Sequence, residues 1–311
     1  MVITLTVADI VRRFPVEVLV GEDHLHRVLK KTKVRRPGLE FLDKFDFIAK
    51  DHVQILGKNE INYLHTLSDE ECKLRIQNIV YYDPPCIIIT SQQEEPLGLR
   101  QFCTEENIPV LRTPDSTTEM SAKLDAYAVK AMAPEIAIHG VCVNVAGIGV
   151  LLRGKSGVGK SETAHILIGR GHRLVADDIV VLKKLSPQTL LGTHDEKNKE
   201  FLALRSIGLL NVVRLYGRAA FQEETRIALD IELTEWQENS LNNELEVDTK
   251  YKTYLDVPVP HIQIQLQPGR DVAGLIEAAA NNWYLQQQGY SAAEEFMKRL
   301  ESEFAKDEHK Q

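Results

Sequence analysis

The chain has 311 residues, which is enough for two domains of about 150 residues each. Hydrophobic residues make up 43% and charged residues 26%, a composition typical of folded soluble proteins, so a largely disordered chain is excluded. The formal net charge is −8, from 37 Lys and Arg against 45 Asp and Glu. This acidic balance argues against nucleic acid or an anionic membrane as a partner, because both require clustered positive charge.

The sequence also predicts where the protein works. No uninterrupted apolar run approaches the about 20 residues of a membrane span. Residues 1–14 carry Asp9 and lack the basic segment and cleavage site of a signal peptide, so they predict a strand or turn leading into an amphipathic helix. We therefore expect a cytoplasmic protein. No Cys-x-x-Cys pair occurs, so reduced thiols, some of them in the core, are expected rather than zinc or disulfides at Cys72, Cys86, Cys103 and Cys142.

Residues 1–130 alternate short apolar strands with helical patterns, which predicts an N-terminal α/β domain. The strands are expected at Val16–Val20, Val53–Leu56, Pro85–Thr90 and Asn107–Arg112. The helices are expected at Ser68–Val80, Ser91–Glu106 and Ser121–Met132. The run at Pro85–Thr90 is apolar and β-branched, as in a buried parallel strand. We place a linker near residues 128–136 and the second domain at residues 131–311.

The second half begins with two short strands around a Gly-rich turn, over His139–Arg153. After a glycine-rich loop, an apolar helical pattern ends at Gly169 and Gly171. Beyond it we expect a strand over Leu174–Leu182, with Asp177 and Asp178 inside it, and a loop over Gln188–Glu200. A polar and acidic segment follows over residues 239–252. The C-terminal part is expected to form helices over Val272–Leu285 and Ala292–Phe304 and to end in a solvated tail over residues 306–311.

The octapeptide at residues 154–161 fits the phosphate-loop pattern G-x-x-x-x-G-K-[ST] without departure. Glycines let backbone N–H groups converge on phosphate oxygens, and the following helix directs its positive end at them. In this pattern Lys160 reaches the β- and γ-phosphates, and Ser161 ligates Mg²⁺. The predicted nucleotide-binding residues are Gly154, Lys155, Ser156, Gly157, Val158, Gly159, Lys160 and Ser161.

Three other side chains are candidates for chemistry. Asp177 and Asp178 follow Lys160 by one helix and one strand, where one carboxylate suits Mg²⁺ and its neighbour can accept the proton of an attacking hydroxyl. The alternative is that Asp177 and Asp178 have no chemical role and form an acidic turn after a buried strand. From its position alone, His139 is either a hydrogen-bonded structural residue or a catalytic one.

Further landmarks follow one another along nearly the whole chain. They are 36–40 (RPGLE), 55–57 (ILG), 138–143 (IHGVCV), the loop GKSGVGKSETA, 170–178 (RGHRLVADD), 268–270 (PGR) and 289–296 (GYSAAEEF). Together they resemble the HPr kinase/phosphorylase family. The resemblance implies an α/β fold with an N-terminal α/β domain for regulation or assembly and a C-terminal phosphate-loop (P-loop) kinase domain.

The resemblance also implies a function. Members phosphorylate a serine of HPr, the phosphocarrier protein of the bacterial sugar phosphotransferase system, from ATP or pyrophosphate with Mg²⁺, and remove that phosphate by phosphorolysis. They form homohexamers that respond to fructose-1,6-bisphosphate and phosphate in carbon catabolite repression. By position, the family's catalytic histidine is His139, its loop lysine Lys160 and its magnesium-binding serine Ser161. Its catalytic aspartate, base in one direction and acid in the other, is Asp178, with Asp177 near the metal.

The chain departs from the family at five positions. Lys155 stands where the loop has Asp, and Ala203 and Ser206 replace a magnesium-binding Glu and a Gly of the segment E-[IV]-R-G-[LI]-G. Glu244 aligns with a catalytic arginine, and Gln267 replaces one arginine of V-R-P-G-R. Loss of an arginine that stabilises phosphoryl charge costs about 10³-fold or more in rate. Lys155 supplying positive charge and Asp177 taking over the metal would offset part of these losses.

Three functions stay open from the sequence. The first is an active serine kinase of HPr. The second is a paralogue that binds nucleotide but has lost efficient catalysis and acts as a regulatory subunit. The third is a kinase of another protein or metabolite.

Overall fold

The computed structural model of the chain describes residues 5–29, 51–235, 250–267 and 269–299. The chain divides into two compact units, Met1–Ala133 and Pro134–Gln311. The predicted linker near residues 128–136 is shorter than expected, because a helix continues to Ala131 and a strand begins at Glu135.

The first unit is a layered α/β structure. Its described helices are α1 (Val7–Arg13), α2 (Lys58–His65), α3 (Asp69–Tyr81), α4 (Leu99–Glu105) and α5 (Thr117–Ala131). Its strands are β1 (Glu17–Val20), β2 (Gln54–Leu56), β3 (Ile87–Ile89) and β4 (Val110–Arg112). They form a sheet in the order β1-β4-β3-β2, in which β2, β3 and β4 run parallel and β1 is antiparallel to β4.

Strand β3 shows why its isoleucine run predicted a buried strand. Ile87 and Ile89 pack into a core formed with α2, α3 and α4, whereas Ile88 packs into the core formed with α1 and α5. Successive side chains of a strand point to opposite faces, so helices on both faces require apolar residues throughout. The predicted buried parallel strand and α/β domain are confirmed.

Two serines fix where α3 and α5 begin. The hydroxyls of Ser68 and Ser116 each accept a backbone N–H three residues later at 3.3 Å, from Glu71 and Glu119. Each glutamate carboxylate accepts the N–H of its serine in return. These reciprocal capping boxes satisfy the first N–H groups of the helix, which is why α5 begins at Thr117 and not at the predicted Ser121.

The helix predicted over Ser91–Glu106 is wrong in its first half. Ser91 and Gln92 have φ angles of 56° and 50° and form a turn. The helix α4 begins only after Gly98, whose φ of 87° interrupts a right-handed helix. Residues 36–40, part of the sequence resemblance, lie outside the described residues.

The second unit contains eleven described strands and three labelled helices. The strands are β5 (Glu135–His139), β6 (Val141–Val145), β7 (Ile148–Arg153), β8 (Arg173–Ala176), β9 (Ile179–Ser186), β10 (Thr189–His194), β11 (Phe201–Leu204), β12 (Gly208–Asn211), β13 (Glu224–Glu235), β14 (Lys250–Tyr254) and β15 (Val257–Leu266). The helices are α6 (Lys160–Gly169), α7 (Val212–Tyr216) and α8 (Val272–Gln287). Residues 292–299 are also helical.

One sheet dominates this unit. Its main path is β5-β9-β10-β13-β7-β6-β8, with β15 beside β13 and β14 beside β15. Strands β7, β13 and β15 run parallel, so their carboxyl ends at Arg153, Glu235 and Leu266 lie at the same edge. Open α/β sheets bind ligands outside the carboxyl ends of their strands. This edge is where the loop at residues 154–159 leaves β7.

Each face of this sheet is covered. Val150 and Leu152 of β7 pack with Leu167 of α6 and Ile276 of α8 on one face. Leu151, between them, belongs to a separate core cluster on the opposite face. The helix α6 is therefore held against the strand that precedes the loop, which fixes both ends of the loop.

Two expectations in this unit are wrong. The strand predicted over Leu174–Leu182 is two strands, β8 and β9, and Asp177 and Asp178 form the turn between them. The loop predicted over Gln188–Glu200 contains β10, which pairs with β9 and β13. The two strands predicted around a turn over His139–Arg153 are confirmed as β6 and β7.

The C-terminal expectations have mixed outcomes. Helix α8 confirms the helix predicted over Val272–Leu285. The helix predicted over Ala292–Phe304 is confirmed as far as residue 299, and its remainder and the tail at 306–311 lie outside the described residues. In the predicted polar segment 239–252, residues 239–249 lie outside the description and the last residues belong to β14.

Two further expectations concern the cysteines, expected as reduced thiols, and membrane-spanning segments, of which the sequence predicts none. All four cysteines are free and buried, and burial raises the pKa of the Cys86 and Cys103 thiols to about 12. In the described ranges, no helix has the length and apolar character needed to cross a bilayer.

Candidate functional site

The loop between β7 and α6 has a backbone that glycine makes possible. Gly154, Gly157 and Gly159 have φ angles of 143°, 83° and 98°, which side chains with a Cβ rarely adopt. A Cβ on Gly154 would also overlap the carbonyl oxygen of Leu233 on β13. The glycines of the octapeptide are therefore required by the local structure.

Lys160, the first residue of α6, lies across this loop. Its ammonium group donates to the carbonyl oxygens of Gly154 and Lys155, both at 3.0 Å. The positive charge is thereby held at the amino end of α6, where the helix dipole also favours anions.

The fold brings together Ser161 and Asp177, the two residues that the sequence offered as magnesium ligands. The hydroxyl of Ser161 donates to Asp177 Oδ1 at 2.8 Å, and the backbone N–H of Ala203 donates to Asp177 Oδ2 at 2.9 Å. Asp177 is only 3% exposed. Burial raises its pKa, and the hydrogen bonds from Ala203 and Ser161 oppose that rise.

This pair is suited to a magnesium ion held jointly with phosphates. Mg²⁺ in such sites is bound by one or two protein oxygens, with phosphate oxygens and waters completing the octahedron. A serine hydroxyl beside a buried carboxylate supplies that donor set. The described residues contain no group of three or more His, Cys, Asp or Glu side chains that could hold a metal by themselves.

Asp178 and His139 form a second, exposed pair beside Asp177. Asp178 occupies the β8–β9 turn with a φ of 65°, and its carbonyl oxygen accepts the N–H of Gly140 at 3.1 Å. His139 ends β5 opposite Ile179 of β9, which places its Nδ1 3.7 Å from Asp178 Oδ1. The side chains are 86% and 68% exposed, so an incoming macromolecule can reach both.

Arg205 is a cation that the sequence reasoning left without a role. A Cβ on Gly157 would overlap the guanidinium of Arg205, so this side chain lies directly against the phosphate loop. The sequence does contain a signal for this residue. Arg205 matches the arginine of the family segment E-[IV]-R-G-[LI]-G, although Ala203 and Ser206 differ from that segment. Ser206, in place of that segment's glycine, has a φ of 67°, a backbone angle that glycine adopts without strain.

A buried charged network lies beneath the loop. Arg153, the residue before Gly154, donates to both carboxylate oxygens of Asp230 at 2.5 and 2.6 Å. Tyr254 and His261 complete the surroundings of Asp230, with its oxygens 3.0 Å from the tyrosine hydroxyl and 2.7 Å from the histidine Nδ1. His261 had no predicted role, because its partner lies on a strand far away in sequence.

Of the substituted positions, Lys155, Ala203, Ser206 and Gln267 lie in the described residues. Lys155 and Gln267 are exposed, and the backbone N–H of Ala203 donates to Asp177. Glu244 and Pro268 lie outside the described residues.

Comparison with known proteins assigns the chain to a family. The family model "HPr Serine kinase N terminus" matches residues 5–127, and the model "HPr Serine kinase C-terminal domain" matches residues 130–300. This chain belongs to the HPr serine kinase family. Its fold is accordingly a mixed α/β structure with the N- and C-terminal domains of HPr kinases.

Two relatives in the HPr serine kinase family match almost the whole chain, and one solved structure matches about half of it. A protein of Oceanobacillus iheyensis named "Putative HPr kinase/phosphorylase 2" is 63% identical over 96% of this chain and 97% of its own length. The HPr kinase/phosphorylase of Bacillus cytotoxicus is 38% identical over 94% of this chain and 95% of its own. The structure of the Hpr(Ser) kinase/phosphatase from Coxiella burnetii covers 52% of this chain and 98% of its own, with 30% identity and a TM-score of 0.46.

Proposed function

We propose that this chain is a serine kinase/phosphorylase of HPr that uses ATP or pyrophosphate with Mg²⁺. The observation that carries the proposal is one cluster of three features. They are a glycine-dependent phosphate loop, the hydrogen bond from Ser161 at the start of its helix to the buried Asp177, and the exposed pair of Asp178 and His139 beside Asp177. A phosphate donor and a protein hydroxyl can meet at this cluster. Membership in the HPr serine kinase family supplies the substrate.

In the kinase direction, the phosphate loop and Lys160 bind the donor phosphates. The Asp178 carboxylate accepts the proton of the HPr serine as its oxygen forms a bond to the γ-phosphorus, and the bond from phosphorus to the bridging oxygen breaks to release ADP. Ser161 and Asp177 would hold Mg²⁺, which neutralises developing phosphate charge. Lys160, held over the loop, stabilises that charge from the protein side.

In the reverse direction, the same residues exchange roles. An oxygen of inorganic phosphate forms a bond to the phosphorus of phosphoserine, the bond from phosphorus to the serine oxygen breaks, and Asp178 returns its proton to that oxygen. Pyrophosphate leaves. His139, whose Nδ1 lies 3.7 Å from Asp178 Oδ1, is the second side chain of this exposed pair and lies where the serine of HPr would approach.

Assembly and regulation belong to the same proposal. The family resemblance supports a cytoplasmic homohexamer in which fructose-1,6-bisphosphate and phosphate act as effectors of carbon catabolite control. It also supports a regulatory or assembly role for the N-terminal unit and the catalytic role for the C-terminal unit.

One observation favours a second candidate, a nucleotide-binding paralogue with impaired catalysis that acts as a regulatory subunit. Ala203 reaches Asp177 with its backbone N–H, so the position of the family's glutamate lies at the proposed metal site without a carboxylate. Glu244 and Gln267 remove two further positive charges.

An assay with purified chain, ATP, Mg²⁺ and HPr separates the two candidates. The kinase forms phosphoserine on HPr, detected by mass spectrometry, while calorimetry measures Mg–ADP binding in parallel. Nucleotide binding without phosphoserine contradicts the kinase and supports the regulatory paralogue.

A further inference from the structure

The two flanks of the phosphate loop differ in chemistry. On the flank formed by β6 and β8 lie the Ser161–Asp177 pair and Asp178. On the opposite flank, Glu232 of β13 pairs with Arg153, the last residue of β7. Strand β13 continues for three more residues, to Glu235. Strands β13 and β15 therefore form a wall that rises beside the loop.

A cavity of about 230 Å³ lies between this wall and the loop. Its polar lining comes from one face of the paired strands, since Glu232 is in register with Gln263 and Thr234 with Gln265. Sites for drug-sized ligands begin at about 300 Å³, so this cavity suits part of a nucleotide and not the whole. The full lining is Lys155, Val158, Glu232, Leu233, Thr234, Glu235, Gln263 and Gln265.

The charges of the wall disfavour phosphate groups. The carboxylates of Glu232 and Glu235 would repel them at close range. Carboxylates do accept hydrogen bonds from ribose hydroxyls, as in dinucleotide-binding folds, and glutamine amides offer both donors and acceptors to a base. Lys155 lines the cavity from the loop side and supplies the one positive charge among the described residues that line it.

The base of the wall contacts the charged network around Asp230. Glu232 is 3.6 Å from Arg153 and 3.8 Å from His261 Nε2, and both of these side chains contact the buried Asp230. This arrangement fixes the position of Glu232 relative to the residue that precedes the loop. A preformed wall lowers the ordering cost of binding a ligand against it.

We propose that this cavity receives the nucleoside end of the phosphoryl donor. Phosphates bound on the loop would extend from the Ser161–Asp177 side toward Lys155, and the ribose and base would enter between the loop and the wall. The cavity then adds affinity for nucleotides and none for pyrophosphate. This inference rests on the proposed function, because it takes the loop as the binding site of the donor phosphates.

A variant that fills the cavity tests the inference by direct binding. Gln263→Trp places a large side chain at an exposed position of the wall, and Gln188→Trp is the matched control in the exposed β9–β10 turn of the same unit. Calorimetry with Mg–ADP and Mg–pyrophosphate measures both ligands on each variant. We expect Gln263→Trp to weaken Mg–ADP by about tenfold or more and to change Mg–pyrophosphate by less than about twofold. Gln188→Trp changes neither.

A milder variant guards against misfolding. Glu235→Gln removes one carboxylate at the exposed end of β13 and is expected to weaken Mg–ADP by about threefold without affecting Mg–pyrophosphate. The inference is overturned if both wall variants bind Mg–ADP and Mg–pyrophosphate as tightly as the unchanged chain. It is also overturned if they lose affinity equally for the two ligands, because the effect would then lie in the phosphate loop itself.

Two results separate this inference from the proposed function. If the unchanged chain binds neither Mg–ADP nor Mg–pyrophosphate, the function and the inference fail together. If the wall variants lose Mg–ADP selectively but no phosphoserine forms on HPr, the function fails and the nucleoside cavity stands.

Discussion

Among single residues, Ala203 bears most directly on the proposed magnesium site. Its N–H still binds the buried carboxylate of Asp177, so the backbone keeps the path that a metal-binding glutamate would need. What is missing is one oxygen ligand. The same position is exposed, so a longer side chain can be accommodated.

Restoring the carboxylate is therefore a direct test. We expect Ala203→Glu to lower the Mg²⁺ concentration needed for half-maximal ADP binding by about tenfold, because Mg²⁺ favours carboxylate oxygens. Calorimetric titration of ADP at several Mg²⁺ concentrations measures this change. The control Ala203→Gln has the same length without the charge and is expected to give little change. Equal behaviour of the two variants would contradict a metal site at this position.

Lys155 supplies the opposite test, since it places a cation where the family has an aspartate. It is exposed and its carbonyl oxygen accepts from Lys160. If Lys155 compensates for lost arginines, Lys155→Asp weakens Mg–ADP binding by about tenfold, with Lys197→Asp as a control at another exposed lysine. Unchanged or tighter Mg–ADP binding to Lys155→Asp would argue against compensation.

Glu223 provides a pH-dependent prediction about stability. Hydrogen bonds from Lys199, His194 and Arg218 lower its pKa from 4.5 to about 2. A lowered pKa means that the folded state binds fewer protons, so this stabilisation is complete above about pH 4.5 and is lost as the pH falls toward 2. Because the side chain is 46% exposed, solvent screening keeps the effect modest.

We therefore expect Glu223→Gln to destabilise the chain at pH 7 and to do so progressively less below pH 4.5. Urea denaturation of both proteins between pH 7 and pH 3 gives the difference in the free energy of unfolding. The control is Glu196→Gln, which removes an exposed carboxylate that follows β10. A difference that stays constant over this range would contradict the lowered pKa.

At the scale of elements, the phosphate loop depends on glycines for two separate reasons. Gly157 has a φ of 83° and no room for a Cβ against Arg205, whereas Gly147 in the β6–β7 turn has a φ of 94° and open space around it. The two positions therefore separate backbone strain from contact with the cation.

Alanine at each position makes this comparison. Both variants are expected to lose about 1–2 kcal/mol of unfolding free energy from the left-handed backbone. Only Gly157→Ala is expected also to weaken Mg–ADP binding, by about tenfold, because Arg205 is displaced from the loop. Thermal unfolding and calorimetry measure the two effects. Equal ADP affinities would show that the contact with Arg205 has no role in binding.

Elements with a local cause were predictable from the sequence. The isoleucine strand, the phosphate loop and helix α6 each depend on a contiguous pattern of residues. Strand β10 was missed because Thr189–His194 is mixed in polarity and its partners β9 and β13 lie elsewhere in the chain. The strand predicted over Leu174–Leu182 was too long because apolar residues stand on both sides of Asp177 and Asp178, although an acidic turn at this pair was the stated alternative.

In the candidate site too, local motifs were predictable from the sequence and long-range contacts were not. The octapeptide and the acidic pair were found because each is a short motif. The contacts of Arg205 with Gly157, Ala203 with Asp177, and His261 with Asp230 join distant segments, and they depend on sheet order and register. Spacing along the chain carries no information about such contacts.

At the scale of the whole molecule, the net charge of −8 conceals how charge is distributed at the loop. One flank carries the carboxylates Asp177 and Asp178, and the other carries a polar wall of acids and amides. Between them, Lys155, Lys160 and Arg205 place three cations in or against the loop. In the proposals above, these three adjacent regions would hold the metal, the phosphates and the nucleoside. We propose that this arrangement transfers a phosphoryl group to HPr through Asp178.

Single-turnover phosphorylation of HPr by the unchanged chain and by Asp178→Asn tests that claim most directly. A general base contributes about 10²–10⁴ in rate, so Asp178→Asn is expected to slow phosphoserine formation at least about 100-fold. Its Mg–ADP affinity should stay within about twofold, because Asp178 is not among the predicted phosphate- or metal-binding residues. Phosphoserine formed at the same rate by both proteins, or by neither while nucleotide binds, would contradict the account.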